Sequence, residues 1–438
     1  MNLFLQPQSA KLELAASAAD AVLNQQAFAG SLLDALREGT SKGNGIFRDA
    51  YGEGENFAHR LMAKTGRDLG FEIDHDAAAN TYVTMPGRDR ARPRVIIGSH
   101  LDSVANGGNF DGAAGVIAGL IATKALRESE YRPACDIAVM GIRAEESVWF
   151  STTFFGSSAA LGKLLPDVWQ KKRVDTGKTL AEHLRACGGN PDRLRAQPYL
   201  TASNVAAFLE VHIEQGPILD AEQLPVGIVT GIRGNYRLPA ARILGEYSHC
   251  GGVPRSYRRD SVLAGADFVH ALDALWREWE AQGKDMAFTV GRFFTDPQQH
   301  ALTKIPGEVS FSLDLRSVDG ALLCELEQIV HALAHRIAAE RGVQFELGAG
   351  TRAPVGTVAP SIRASFQAGA AQLRLPTRLL ASGASHDAAA FAHAGIPMGM
   401  LFVRNRNGSH NPSEQMEIAD LLQATRLLTW WLVKNCAE

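Results

Sequence analysis

The chain alternates between two textures of apolar spacing, and the order of that alternation predicts its architecture. Apolar residues recur at helical spacing from Ala16 to Arg37 and again from Glu55 to Gly70, through Phe57, Leu61, Met62 and Leu69. Phe71 to Asp74 and Thr81 to Met85, closed by Pro86-Gly87, read as strands. A continuous apolar run, Val95-Ile96-Ile97, has the composition of a strand covered on both faces. After Asp111-Gly112 the segment A-A-G-V-I-A-G-L-I-A-T-K-A-L-R is apolar nearly all round and predicts a buried helix. Strands over Cys135–Ile142 and Ala206–Val211 flank a helical or looped stretch from about 154 to 198.

Near Gly231 the texture changes. From Arg233 the order is strand (Tyr236–Gly245), helix (Ser261 to about Gln282), strands (Ala287–Phe294 and Gly307–Ser317), helix (Gly320–Arg341) and strand (Val343–Leu347). The first texture then resumes with a helix (Ser361–Gln372), Leu379–Ala381, a helix (Asp387–Ala394), a strand (Pro397–Val403) and an amphipathic helix (Ile418–Asn435). The prediction is an α/β fold, a helix-covered mixed sheet, with an inserted α+β (βαββαβ) domain. Its boundaries fall at 1–231, 232–348 and 349–438.

A length of 438 residues suits two or three domains, and 46% hydrophobic with 21% charged residues is ordinary for a globular chain. A net charge of −3 argues against a nucleic-acid partner, and no eighteen-residue apolar run suggests a membrane span. The start, M-N-L-F-L-Q-P-Q, lacks the basic and apolar regions of a secretory signal. Five separated cysteines without a Cys-x-x-Cys pair read as reduced thiols, so a cytoplasmic location is expected.

The chemistry gathers where strands of the larger domain end. After Ile97 come His100, Asp102 and Asp111; after Ile142, Glu145 and Glu146; after Val211, His212, Glu214 and Gln215; after Val403, a loop carrying His410. Ligands of open α/β sheets bind at that edge. Each group alone also reads as a polar turn; four together point to a metal site. Imidazoles mixed with carboxylates suit Zn, Mn, Co or Ni rather than Ca or Mg. Two such ions need a bridging carboxylate, for which Asp111 before a helix is suited, and a water between them would become acidic. Glu145 and Glu146 can serve one site only if their strand has already ended. One would then bind metal and the other accept a proton.

In order, G-S-H-L-D-S-V-A-N-G-G-N-F-D-G, A-E-E, H-I-E-Q-G-P-I-L, T-V-G-R, I-P-G-E-V-x-F-x-L-D-L-R, S-G-A-x-H-D-A and G-S-H-N-P-S-E resemble the M20-type dinuclear metalloamidases, in the branch of N-carbamoyl-L-amino-acid hydrolase, β-ureidopropionase and allantoate amidohydrolase. The resemblance implies a catalytic domain with an inserted lid that also dimerises. It implies two divalent ions, one on His100, Asp111 and His212, the other on Asp111, Glu146 and His410. Glu145 is implied as general base and later acid, Asp102 as the carboxylate that orients His100, and Asp111-Gly112 as a candidate cis peptide.

By the same resemblance Gln215 contacts the ureido or amide group, His249 polarises the scissile carbonyl and Arg316 grips a substrate carboxylate with a two-pronged hydrogen bond. Asn235, where the family often has glutamine, and His386 are further substrate contacts. The chain departs from the family at Ser147-Val148-Trp149-Phe150, at Thr303-Lys304 and at Arg404 and Arg406, changes that could reshape the substrate pocket. The implied reaction is hydrolysis of a ureido bond in a small carboxylate-bearing substrate by a homodimer. An N-acyl amino acid, dipeptide or aromatic amide is the alternative substrate, and a non-catalytic scaffold the alternative class.

Overall fold

The computed structural model describes residues 6–436, without the side chains of residues 6–11, 195 and 196; the start of the chain, read above as no secretory signal, lies outside the described residues. The chain forms two compact units. The larger runs to Thr230 and resumes at Thr357; the smaller is Gly231–Gly356.

An eight-stranded mixed sheet organises the larger unit, in the order Thr377–Ser382, Val226–Ile232, Met398–Val403, Val205–Ile213, Arg94–His100, Ile137–Ile142, Thr81–Met85, Glu72–His75. The four strands from Met398–Val403 to Ile137–Ile142 are mutually parallel, and antiparallel strands flank them. Their apolar runs are buried along their length, as strands covered on both faces must be. The helices Ala113–Glu128 and Ile418–Asn435 belong to the core on the sheet. Val226–Ile232, which the sequence reading placed in no element, is an internal strand. The stretch from 154 to 198 is a series of short helices.

Two glycines permit close packing at the chemical edge. Gly112 has φ +66, and a Cβ there would lie 2.5 Å from the His100 carbonyl oxygen. A Cβ on Gly115 would lie 2.1 Å from the Val211 carbonyl oxygen, so the helix approaches the strand bearing His212 through glycine. No peptide among the described residues is cis, which corrects the expectation for Asp111-Gly112. Gly112 makes the turn with its positive φ instead and caps Ala113–Glu128, leaving Asp111 one residue before the cap.

The smaller unit is an antiparallel sheet in the order Ala287–Thr295, Glu308–Ser317, Gly234–Leu244, Gln344–Glu346, with Thr351–Ala353 also paired to Gly234–Leu244. Helices Ser261–Ala281 and Gly320–Arg341 pack on it. That last strand carries the unit to Gly356, beyond the boundary at 348 drawn from the sequence. All five cysteines are free, and no helix among the described residues is long and apolar enough to cross a membrane.

Candidate metal centre

Four parallel strands share one C-terminal edge, and the chain leaving each of them delivers a ligand-type side chain. His100 ends Arg94–His100, and His212 lies near the end of Val205–Ile213. After Ile142 the backbone turns through Ala144, at φ +52, so Glu145 and Glu146 stand beyond the pleat rather than on opposite faces of a strand. His410 arrives in the loop after Met398–Val403, itself at φ +61.

Asp111 lies at the middle of these groups. Its Oδ1 is 3.3 Å from His100 Nε2 and 3.1 Å from His212 Nε2, while its Oδ2 is 3.2 Å from His410 Nε2. His410 Nε2 is also 3.2 Å from Glu146 Oε1. His100 with Asp111 and His212, and Asp111 with Glu146 and His410, are two groups whose ligand atoms all lie within 4.8 Å of one another. Glu145 belongs to a third such group with His100 and Glu146.

The donor set fits metal. His100 Nδ1 lies 3.0 Å from the Asp102 carbonyl oxygen and His212 Nδ1 2.9 Å from that of Ile213. Carbonyls only accept, so both Nδ1 atoms carry the proton and both Nε2 lone pairs face the interior, 3.5 Å apart. They point at Asp111 Oδ1, a buried acceptor without a hydrogen-bond partner. Acceptors converging on an acceptor repel unless a cation lies among them. Protein without metal must supply protons instead. Burial pushes Asp111 up, but the imidazoles of His100, His212 and His410 override it and hold the carboxyl well below its usual range. Asp111 and Glu146 in turn raise His410 to about 10. Burial drives Glu145 well above the usual carboxylate range, opposed by His100 and reinforced by Glu146.

Asp102 meets His100 with its backbone and its carboxylate. Its carbonyl accepts from His100 Nδ1 at 3.0 Å, and its carboxylate Oδ1 lies 3.6 Å from the same nitrogen. The fully buried carboxylate accepts the backbone N–H groups of Glu145 and Glu146, one per oxygen, each at 3.0 Å, and so pins the turn between the two acids. Trp149 fastens the same turn. Its indole Nε1–H donates to the Ser103 carbonyl at 2.8 Å and its ring is buried in a small core with Phe150 and Phe155. The residue expected to reshape a substrate pocket is therefore packing. The added arginines are similarly occupied, Arg404 by Asp420 and Arg406 by Asp220.

Gln215 Nε2 donates to Asp111 Oδ2 at 2.8 Å, and its buried Oε1 has no partner. His386 is buried, its Nε2 2.9 Å from Ser382 Oγ and its ring 4.4 Å from that of His212; burial holds it well below its ordinary value, hence neutral. In the smaller unit Asn235 and Arg316 are directly paired across adjacent strands, and Arg316 donates from Nε and Nη2 to Asp314 at 3.0 and 3.1 Å. His249 is exposed, and its Nδ1 accepts from Gly251 and Gly252 N–H at 3.2 and 3.0 Å.

Two supports escaped the sequence reading. Ser409 Oγ lies 2.6 Å from both Asp111 Oδ2 and Glu414 Oε2, while Glu414 Oε1 accepts from Phe110 and Asp111 N–H. The serine and glutamate around His410 in G-S-H-N-P-S-E were the available signal. The wholly buried Arg48 donates to the carbonyls of Leu101, Asn109 and Asp111, clamping the loop between His100 and Asp111. A lone arginine in a loop carried no such signal.

A mixed α/β sheet whose parallel strands empty onto imidazoles and carboxylates around one shared aspartate has the donor set of a divalent-metal hydrolase site. The chain belongs to peptidase family M20/M25/M40, whose sequence profile matches residues 96–433. It is 33% identical over 389 residues to N-carbamoyl-L-amino acid amidohydrolase of Geobacillus stearothermophilus, covering 87% of this chain and 91% of that one. It is 29% identical over 398 residues to allantoate amidohydrolase of Bacillus subtilis (strain 168), covering 90% and 94%. Among solved structures it is similar to an amidase of the hydantoinase/carbamoylase family from Burkholderia multivorans, with a TM-score of 0.82 and 26% identity over 94% of this chain and 98% of that one.

Proposed function

We propose that the protein hydrolyses the ureido C–N bond of an N-carbamoyl amino acid or related ureido acid, consuming one water and releasing the amino acid, CO2 and ammonia. The observation that carries this reading is the two-sided use of Asp111, one oxygen toward His100 and His212, the other toward His410 beside Glu146. Amidohydrolase relatives on both sides of the ureido chemistry, carbamoyl amino acid and allantoate, support the choice of bond.

His100, Asp111 and His212 would hold one divalent ion and Asp111, Glu146 and His410 a second, of the Zn, Mn, Co or Ni type. When bound, such ions polarise a carbonyl and acidify water. Glu145 takes the proton from the attacking water at its carboxylate and returns it to the leaving nitrogen. Burial supports this, because a carboxyl raised above its usual range holds a proton more readily than an ordinary one. Asp102 and Trp149 keep the Glu145 turn in place, and the Gln215 amide, beside Asp111, meets the ureido group.

In the smaller unit Arg316 is assigned to the substrate carboxylate, with Asn235 across the strand pair; His386 of the larger unit is a further substrate contact. His249 is assigned to the carbonyl oxygen. Its Nδ1 is used as an acceptor, which leaves the proton on Nε2 as a donor. Self-association is assigned to the smaller unit, whose strand Ala287–Thr295 is an edge with Phe293 and Phe294 exposed. A reducing, cytoplasmic setting accords with the five free thiols.

The test is turnover by metal-loaded protein of N-carbamoyl, N-acetyl and dipeptide forms of the same amino acids. Ammonia and CO2 released together from the first set is the expected result. Turnover of N-acetyl or dipeptide substrates alone would transfer the site to acyl chemistry.

A further inference from the structure

A second cavity in the larger unit has the wall chemistry of an anion site. Helix Glu53–Asp68 presents His59, Arg60 and Arg67 toward it, and with His75, Thr81 and Arg143 they line a space of about 440 Å³. Three guanidinium groups and two imidazoles face that space, and no carboxylate does.

Only one of the three arginines is compensated. Arg143 Nη1 is 2.7 Å from Glu55 Oε2, and its Nε donates to the Ala79 carbonyl at 2.8 Å. Arg60 and Arg67 are exposed and make no side-chain hydrogen bond or ion pair among the described residues. His59 and His75 share Thr81 Oγ1, at 2.8 and 3.2 Å, and the buried His59 Nε2 has no partner. Burial, then Arg143 and His75, hold the His59 imidazole well below its ordinary value, so it is neutral and offers hydrogen bonding rather than charge.

We infer that this cavity is a second ligand site, separate from the metal centre, and that it takes a small phosphate- or carboxylate-bearing anion between Arg60, Arg67 and Arg143. Its size suits a metabolite. Forked guanidinium donors match the oxygens of either group, and the charges of Arg60 and Arg67 otherwise go unanswered among the described residues. Arg143 lies two residues before Glu145, so the ligand sits beside the catalytic turn without entering it.

Equilibrium dialysis of metal-loaded protein against inorganic phosphate, and separately against citrate, tests the site by comparing wild type with the double variant Arg60→Glu, Arg67→Glu. Both side chains are exposed and unpaired, so fold and basal turnover are retained. Anion binding at the metal ions is common to both proteins. Wild type should show an additional saturable site that weakens by at least about tenfold in the variant. Loss confined to phosphate identifies a phosphate ligand, and loss confined to citrate a carboxylate one. Equal binding of both anions by the two proteins overturns the inference. In wild type alone, the bound anion should shield Arg60 and Arg67 from phenylglyoxal, read by peptide mass spectrometry; no shielding by either anion overturns it too.

Discussion

Replacing Asp102 with asparagine separates holding the Glu145–Glu146 turn from orienting His100. The aspartate offers one oxygen to each of two backbone N–H groups, both at 3.0 Å, in a fully buried setting. In Asp102→Asn one oxygen becomes an amide that meets an N–H donor to donor. A hydrogen bond to a charged group is worth about 1.5–3 kcal/mol, and a buried donor left without a partner costs about 1–3 kcal/mol. Taking the low end of each, the metal-free protein should lose about 2.5 kcal/mol on denaturant unfolding. Relief of the clash moves Glu145, and a shift of about 1 Å at a reacting group costs on the order of 100-fold in turnover. His100 keeps its bond to the Asp102 carbonyl, so metal content should fall far less than kcat. A variant within about 0.5 kcal/mol of wild type, with kcat unchanged, would refute the reasoning. Lost metal at unchanged stability would mean that Asp102 works through His100 after all.

Glu145→Gln should lower turnover by about 10²–10⁴-fold while metal content, measured by elemental analysis, stays near wild type; turnover close to normal would remove Glu145 as the proton carrier. Arg316→Ala should raise KM by about tenfold or more with a smaller effect on kcat, and an unchanged KM would end its carboxylate role. Chelation of divalent ions should lower the unfolding temperature and their return restore it, because ligand bound to the folded state alone stabilises it. Burial, then the Glu210 carboxylate, pushes Asp387 to about 8. That lies above the unfolded value of about 3.9, so the folded metal-free protein keeps a proton the unfolded chain has released, and stability falls as pH rises from about 4 through about 8. Asp387→Asn, always neutral, should flatten that fall in urea titrations; superimposable profiles would place an ionised carboxylate at 387.

Local features were legible where periodicity is long. The helices Gly320–Arg341 and Ile418–Asn435 are bounded as their apolar spacing predicts, because a long helix makes its backbone hydrogen bonds inside one segment. So was the chemistry of the strand ends, because a covered strand is apolar and the polar residues that break its run stand out. Val226–Ile232 was missed because its burial comes from neighbours far along the chain, with Met398–Val403 on one side. Nor could spacing show that the Asp102 carboxylate, beside His100, also reaches backbone 43 and 44 residues on. The sequence by itself determined which residues could bind metal and which segments could be strands. The order of those strands, and with it the meeting of His100, Asp111, Glu146, His212 and His410 at one edge, was decided by tertiary structure, since strand pairing and buried hydrogen bonds join groups that no local spacing relates.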